Sequence, residues 1–263
     1  MFFSVLILSI IEGITEFLPV SSTGHLLLVS HYLNLDKSFY EVFDIAIQLG
    51  AILAVVSLYP TYFFKAIQNP FRIQNKILVL AMLPILIIGF CFRGIIQAIL
   101  FQPMVIFLGL LIGGVALIVV DLYIPKKSNP LDQKLDVTFR QGLWIGLWQC
   151  LALWPGMSRS AMTIIGGLVS GLNRVTAASF SFVMAVPLMM IIVAYDLISA
   201  IGQLSMVEFG WVFMGIFCSY GCAFFTMKWF LNFVKNKGLF VFGVYRIIIA
   251  LIGILLSYDL FSF

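Results

Sequence analysis

Two carboxylates stand four positions apart in an otherwise apolar stretch near the amino terminus. On a helix, Glu12 and Glu16 would share one face, about one turn apart. Such a pair in an apolar helix is costly unless it binds a cation, shares a proton or faces water. One glutamate would be satisfied by capping a helix or by pairing with an arginine, whereas two together favour a metal-binding or acid–base role.

A hydroxyl-rich turn follows the carboxylates. It contains Pro19, Ser21, Ser22, Thr23 and His25. A helix beginning here would present free backbone N–H groups and the positive end of its dipole, which suit a phosphate or another anion. Serine or threonine would also serve simply as a helix cap. Because histidine can act as acid, base or hydrogen-bond donor, His25 keeps an anion-binding and catalytic turn as an interpretation beside capping. A lone histidine flanked by apolar residues is, however, more often a structural residue, and both roles stay open for His25.

A second polar turn, in the carboxyl-terminal half, is the most informative segment of the chain. It comprises Pro155, Gly156, Ser158, Arg159, Ser160 and Thr163. Arginine presents a planar fork of donors that matches phosphate oxygens, and the serine and threonine side chains add hydroxyls. The arginine would also neutralise Glu12 or Glu16, and the two roles are compatible in a resting state. Brought into one cavity, the two turns would form a phosphoryl-transfer site in which the glutamates hold a divalent ion.

The elements that must carry these residues follow from composition. The chain has 263 residues, of which 62% are hydrophobic and 10% are charged, with a formal net charge of +4. Because a soluble domain has about a quarter of its residues charged, this composition predicts an integral membrane protein. The small, scattered positive charge does not favour a nucleic-acid partner. The apolar runs are continuous, which excludes a strand-based barrel and predicts an all-α bundle.

Eight apolar stretches define the expected fold. Six are long enough to cross a hydrocarbon core of about 30 Å as helices; they cover residues 39–59, 76–92, 103–122, 175–199, 207–231 and 240–260. Two others, 2–33 and 141–172, are interrupted by the polar turns. Irregular backbone at membrane depth must be buried in protein or line a watery cavity. We therefore expect six transmembrane helices and two re-entrant helical hairpins.

Charge and internal similarity predict how the halves are arranged. Basic residues concentrate after the first, third and fifth spans, which predicts six crossings with both termini outside. The segments 17–22 and 153–158 resemble each other, as do 28–34 and 168–173. These matches predict one polytopic domain built as an inverted-topology repeat, with its site where the hairpin tips meet. The halves would be 1–122 and 141–263, joined by a basic cytoplasmic loop at 123–140 that contains Lys126, Lys127, Lys134 and Arg140.

The other polar and sulfur-containing residues are interpreted as structural. No cysteine pair has CxxC spacing, so we expect buried packing cysteines without disulfides at Cys91, Cys150, Cys218 and Cys222. We expect packing or hydrogen-bonding roles for His31, Gln48, Asp196 and Arg246. The amino terminus has no basic segment before its apolar run and is read as mature structure.

At the two turns the chain resembles the undecaprenyl-pyrophosphate phosphatase family, the bacitracin-resistance type of integral membrane phosphatase. Residues 12–25 are similar to the family's ExxxE and SSTGH elements, and residues 155–163 to its PGxSRSxxT element. The resemblance continues through 47–50, 149–154 and the dipeptide at 245–246, so it covers nearly the whole chain.

This resemblance implies an activity and residue roles. The activity is hydrolysis of undecaprenyl diphosphate to undecaprenyl phosphate and inorganic phosphate, which recycles the lipid carrier of cell-wall synthesis. The implied roles are metal or base for Glu12 and Glu16, nucleophile or phosphate contact for Ser22, and acid or base for His25. The implied pyrophosphate contacts are Ser21, Thr23, Gly156, Ser158, Arg159, Ser160 and Thr163.

The resemblance also implies a setting for the reaction. We expect dependence on Mg²⁺ or Ca²⁺, a homodimer in a bacterial inner membrane, and a site opening to the periplasmic face. No histidine follows Arg159, so the phosphohistidine mechanism of the acid-phosphatase type of lipid phosphatase is excluded. Attack by Ser22 and attack by a glutamate-activated water both remain open. A transporter of polyprenyl phosphate or another anion is the alternative function, because inverted repeats and broken helices are common in transporters.

Overall fold

The computed structural model describes residues 1–33, 35–124, 135–200 and 205–260, and these residues form helices joined by short turns. The α-helices in chain order are α1 (Phe2–Thr15), α2 (Ser22–Ser30), α3 (Lys37–Leu58), α4 (Pro60–Gln68), α5 (Ile73–Cys91), α6 (Arg93–Leu100), α7 (Pro103–Tyr123), α8 (Phe139–Gln149), α9 (Arg159–Val169), α10 (Arg174–Ala200), α11 (Met206–Lys237) and α12 (Phe240–Leu260). A short 3-10 helix, Cys150–Leu153, follows α8. The prediction of an all-α protein is confirmed for the described residues.

Six of these helices are long and apolar enough to cross a membrane. They are α3, α5, α7, α10, α11 and α12. Each coincides with one of the six predicted stretches apart from differences at the ends, of which the largest is in α11. That helix continues to Lys237 because the polar residues of its last two turns are compatible with helix. The chain is thus a multi-pass membrane protein with the predicted set of spans.

The two interrupted stretches form helix–turn–helix pairs. In the first, α1 ends at Thr15 and α2 begins at Ser22. In the second, α8 is followed by the 3-10 helix and a turn before α9 begins at Arg159. We call the segments 16–21 and 154–158 the first turn and the second turn. The course of each pair relative to the bilayer stays a prediction.

The helix pairs exchange partners between the two halves of the chain. The first pair packs through α1 against α11, and the second packs through α8 against α5. The spans that follow the pairs, α3 and α10, pack against each other, as do α7 and α12. An inverted repeat would produce this reciprocity, although the repeat and its limits stay predictions. Of the residues used to predict them, Asn34, Lys126, Lys127 and Lys134 lie outside the described residues. The side chain of Asp196, for which a packing or hydrogen-bonding role is predicted, also lies outside them.

Two short helices were not predicted. Both α4 and α6 directly follow a span and fall in segments interpreted from the sequence as loops. Proline at its first position favours the start of α4. The cysteines form no disulfide, but the prediction that they are buried is wrong: Cys91 is exposed on the surface of the bundle, and Cys150, Cys218 and Cys222 are only partly buried. Exposure of a thiol at an apolar helix end is compatible with a surface that faces lipid.

Polar contacts define the ends of several spans. Asp36 caps α3, accepting hydrogen bonds from the amides of Ser38 and Phe39 at 3.0 and 3.1 Å. A further bond from the Ser38 hydroxyl is the largest factor that lowers the pKa of Asp36.

A buried ion pair lies near the ends of three other helices. Asp121 of α7 accepts bonds from Arg174 of α10 at 2.7 and 3.1 Å, and from the Phe240 amide of α12 at 3.1 Å. It joins the three helices, and none of the hydrogen bonds of Asp121 or Arg174 to other described residues involves either polar turn.

Candidate active site

The two turns share an uncommon backbone conformation. Ser21 and Ser158 have φ values of 68° and 70° and are the non-glycine residues with positive φ in the described part of the chain. Each immediately precedes a helix, α2 or α9. Such a conformation costs on the order of 1–3 kcal/mol and persists only when the surroundings hold it. When Ser21 is aligned with Ser158 by this conformation, Ser22 corresponds to Arg159. This alignment is shifted by one residue from the one that the sequence suggested.

The two turns face one cavity. Its volume is 130 Å³, and it is lined by Glu16, Ser21, Ser22, Thr23, Ala152, Pro155, Gly156, Ser158 and Arg159. Residues separated by more than a hundred positions are therefore brought together, as expected from the two motifs. Because both α2 and α9 begin at this cavity, their first N–H groups lie at its wall, where helix ends favour an anion.

Glu16 joins the two turns inside the cavity. Its Oε2 accepts a hydrogen bond from Ser22 Oγ at 2.5 Å, and its Oε1 accepts one from Arg159 Nη2 at 3.0 Å. The side chains of Glu16 and Arg159 are both 13% exposed. The pairing of arginine with glutamate that the sequence left open is thus present. Arg159 Nη1 is buried without a hydrogen-bond partner, so one donor of the fork remains for an anion.

Two predicted substrate contacts lie behind the cavity wall. Ser160 donates to the Leu18 carbonyl at 2.7 Å, which fastens the second turn to the first. Thr163 is buried and hydrogen-bonded to the Arg159 carbonyl at 2.9 Å and to Ser181 of α10 at 2.6 Å. Neither residue lines the cavity. In this structure both hold α9 in place, since a threonine one turn into a helix points back towards the preceding turn.

Glu12 lies one helical turn from Glu16 but does not line the cavity. Its side chain is 1% exposed, and neither carboxylate oxygen has a hydrogen-bond partner. Asp44 of α3 interacts electrostatically with Glu12 and Glu16, and its Oδ1 is also buried without a partner. The sequence analysis missed Asp44, although an aspartate inside an apolar span is a signal of function.

The acidic residues do not form a complete metal site by themselves. Among the described residues, no three Asp, Glu, His or Cys side chains converge in a way that could hold a metal ion. Glu12 nevertheless has two desolvated oxygens without donors, and carboxylate oxygens are the ligands that Mg²⁺ and Ca²⁺ prefer. The donor set fits a hard cation that takes its remaining ligands from water or phosphate.

His25 is not among the residues that line the cavity. Its Nδ1 lies 2.8 Å from the Ser21 carbonyl oxygen, and its Nε2 lies 2.7 Å from the hydroxyl of Tyr245 in α12. The two rings stack with centroids 5.5 Å apart and an interplanar angle of 10°. His25 makes no hydrogen bond to Ser22, so the structure does not bring the predicted acid–base histidine to the predicted nucleophile. His31, interpreted as structural, lies at the end of α2.

Comparison with known proteins shows the family of this chain. A family model described as bacitracin resistance protein BacA matches residues 5–252, which include both turns and the facing part of α12. The chain belongs to the BacA family. The match over this range confirms the resemblance drawn from the two motifs.

Curated BacA-type relatives are similar over almost their whole length. An undecaprenyl-diphosphatase of Aquifex aeolicus is 42% identical over 248 residues, which cover 94% of each chain. One of Sulfurihydrogenibium is 40% identical over 247 residues, covering 94% of this chain and 95% of the relative. One of Clostridium tetani is 38% identical over 258 residues, covering 96% and 95% respectively.

The second turn of this BacA-family chain depends on a glycine, which gives a test of its geometry. Gly156 has φ of 94°, and a Cβ there would overlap the Ile106 carbonyl oxygen of α7. We expect Gly156→Ala to destabilise the protein by at least about 1–3 kcal/mol, because strain and overlap both oppose the turn. Thermal unfolding in detergent measures this. The control is Gly210→Ala, where an added Cβ meets nothing within 4 Å; equal melting temperatures for the two variants would contradict the expectation.

Proposed function

We propose that this chain hydrolyses undecaprenyl diphosphate to undecaprenyl phosphate and inorganic phosphate, the substrate being the one for which its curated relatives are named. One observation carries the proposal. A single carboxylate, Glu16, contacts the hydroxyl at the start of α2 and the arginine at the start of α9 within the same cavity. A base is thereby within hydrogen-bond distance of both a nucleophile and a phosphate-binding cation.

The diphosphate would enter by exchanging partners with Glu16. Arg159 has an unpaired Nη1, and its Nη2 is held only by Glu16 among the described hydrogen bonds. A terminal phosphate would accept hydrogen bonds from both Nη atoms of Arg159, and the N–H groups at the starts of α2 and α9 would donate further hydrogen bonds to it. As Arg159 moves to the phosphate, Glu16 loses its counter-charge and becomes a stronger base towards Ser22.

The distance between Glu16 and Ser22 favours the serine as nucleophile. Glu16 Oε2 accepts the hydroxyl proton while Ser22 Oγ bonds to the terminal phosphorus. The bond from that phosphorus to the bridging oxygen breaks, and undecaprenyl phosphate leaves with the proton returned by Glu16. Water then attacks the phosphoserine, Glu16 accepts the water proton, and Ser22 Oγ leaves as a hydroxyl, which releases inorganic phosphate. In the alternative route, Glu16 deprotonates a water that attacks the diphosphate directly.

A divalent cation, Mg²⁺ or Ca²⁺, would be held by Glu12 and Glu16. The support is the pair of partnerless Glu12 oxygens, one turn from the cavity. When bound, the ion would neutralise charge on the phosphate oxygens. Asp44 lies close enough to add to the negative field that attracts it.

The setting of the reaction is part of the same proposal. The substrate's prenyl chain requires a site reachable from lipid, which a multi-pass bundle provides. Basic residues after α3 and in the last turn of α11, on the described part of the chain, support an inner-membrane orientation in which the cavity opens to the periplasmic face. We include the homodimer in this proposal on the family resemblance alone. An anion transporter is not favoured, because extra carboxylates at its site would oppose anion binding.

The first test removes the contact between Glu16 and Arg159 in the cavity. Arg159→Ala and Glu16→Gln should each lower phosphate release from polyprenyl diphosphate by at least about 100-fold, because one loses the phosphate fork and the other the base. Release is measured on purified protein in detergent. Arg140→Ala, which removes an exposed arginine from the same helix pair, should retain wild-type release. Wild-type rates in Arg159→Ala and Glu16→Gln would reject the proposed site.

The second test separates the serine route from the water route. With Ser22 as nucleophile, acid quenching during turnover of substrate labelled in its terminal phosphate should trap labelled protein. Ser22→Ala should abolish both the label and the turnover, whereas Ser57→Ala, at an exposed serine of α3, should retain both. Turnover that survives Ser22→Ala would assign the attack to water.

The third test concerns the cation. A chelator should lower release at least about tenfold, and added Mg²⁺ or Ca²⁺ should restore it, because the phosphate charge is otherwise uncompensated. Glu12→Gln should raise the metal concentration needed for half-maximal release, while Glu41→Gln, at an exposed carboxylate of α3, should not. Release that is insensitive to chelation would exclude the metal-dependent form of the proposal.

A further inference from the structure

Arg246 of α12 is fully buried and binds carbonyls of both turns. Its Nη1 donates to Pro19 of the first turn at 3.2 Å and to Met157 of the second turn at 3.0 Å. Its Nη2 donates to Gly156 of the second turn at 2.8 Å. The predicted hydrogen-bonding role of Arg246 is thus confirmed, but the partners are the backbone of the two turns.

The rest of the guanidinium is anchored to α7. Nε donates to the Leu110 carbonyl at 3.2 Å and Nη2 to the Gly109 carbonyl at 3.4 Å. A Cβ at Gly113 would overlap Nη2, so a glycine is needed for the side chain to fit. All of these acceptors are backbone carbonyls and none is a carboxylate. The side chain is therefore arranged to satisfy irregular backbone, and it does so for both turns at once.

Tyr245, the residue before Arg246, is connected to the first turn through His25. Tyr245 contacts His25, and His25 contacts the Ser21 carbonyl. A carbonyl only accepts, so His25 Nδ1 must carry a proton, and in the neutral ring Nε2 then accepts from the Tyr245 hydroxyl. Both ring nitrogens are occupied. His25 thus holds the carbonyl of the residue with positive φ that directly precedes Ser22.

We propose that Tyr245 and Arg246 are positioning residues that hold both left-handed turns in the geometry of the cavity, Arg246 directly and Tyr245 through His25. We call this pair the α12 clamp. The inference rests on the proposed function for its catalytic part and assigns His25 to positioning instead of proton transfer. Ser21 and Ser158 occupy conformations that serine disfavours. Arg246 binds the carbonyl of Met157, immediately before Ser158, and His25, held by Tyr245, binds the carbonyl of Ser21 itself.

The direction in which Ser22 and Arg159 point depends on these turns. Each residue directly follows a left-handed serine, so relaxation of that serine would swing the next side chain away from Glu16. Misplacement of a reacting group by about 1 Å can reduce a rate by about 100-fold. Much of the binding energy of a polyprenyl substrate would come from its apolar tail, whereas Arg246 is fully buried and Tyr245→Phe removes only a hydroxyl. Loss of the clamp should therefore lower kcat while leaving KM nearly unchanged.

The test combines steady-state kinetics with hydrogen exchange of backbone amides, on full-length protein in detergent. Lysine cannot reach both turns and α7 from a single ammonium group. We expect Arg246→Lys to lower kcat at least tenfold, with KM changed less than threefold, and to increase exchange in peptides that cover both turns. Tyr245→Phe removes only one hydroxyl, so folding is retained; it should lower kcat about threefold to tenfold and increase exchange in the first turn alone.

A pair of His25 variants separates positioning from proton transfer. Asparagine retains an N–H donor near the Nδ1 position, so His25→Asn should keep kcat within about tenfold of wild type, whereas His25→Ala should lose about 100-fold. Equal losses in both variants, together with loss of one limb of the pH profile of kcat, would overturn the positioning role of His25.

Arg174→Met is the matched control for Arg246, because it removes the other buried arginine that is bound away from the turns. It should lower the melting temperature but leave kcat of the folded protein and exchange in both turns unchanged. Arg246→Lys with wild-type exchange, or with wild-type kcat despite faster exchange, would overturn the clamp. A wild-type protein that releases no phosphate would refute the proposed function, while the exchange data would still decide whether α12 holds the turns.

Discussion

Irregular backbone buried inside an apolar bundle must find hydrogen bonds within the protein. In this chain the requirement falls on two turns, at 16–21 and 154–158, which interrupt apolar helices. Their carbonyls are satisfied by Arg246, by Ser160 and by His25. The cavity exists because these donors hold the two turns in a non-helical conformation and next to each other. The packing of α7 against α12 contributes to this arrangement, since it brings the Arg246 guanidinium to the turns.

The charges of the cavity are arranged around a single carboxylate. Glu16 forms an ion pair with Arg159 in the resting state, and its other oxygen accepts a hydrogen bond from the Ser22 hydroxyl. In the proposed reaction an incoming phosphate would compete for the same arginine, so that binding of substrate and activation of the base would be one event. Glu12, one turn away, has no such partner, which is the support for the proposed cation. The two glutamates thus have different environments although their spacing makes them look equivalent.

Much of the fold was predictable because its signals are local. Each of the six spans is a continuous apolar run, and each interruption contains proline and hydroxyl residues that end one helix and begin another. The short helices α4 and α6 were missed because they lie in segments whose mixed composition is compatible with a loop. The alignment of the turns was displaced by one residue, since the similarity of Pro19 to Pro155 concealed the shared conformation of Ser21 and Ser158.

The site was predictable in its residues but not in its contacts. Sequence spacing identified Glu16, Ser22 and Arg159, which meet as expected, but it also suggested substrate contacts at Ser160 and Thr163, which face the protein interior. It offered no means of pairing His25 with Tyr245, because these residues are 220 positions apart. Asp44 was overlooked because a lone acid in a span has no motif around it.

By itself the sequence determined that the chain lies in a membrane, the number of its spans and the residue types of the two turns, because composition, run length and motif spacing are properties of neighbouring residues. The tertiary structure decided which atoms those residues contact. It placed α12 against both turns, separated Glu12 from the cavity and directed His25 away from Ser22. The reason is physical: which donor satisfies a buried carbonyl depends on how helices distant in sequence pack, and one arginine between two turns can serve both only after the bundle has formed.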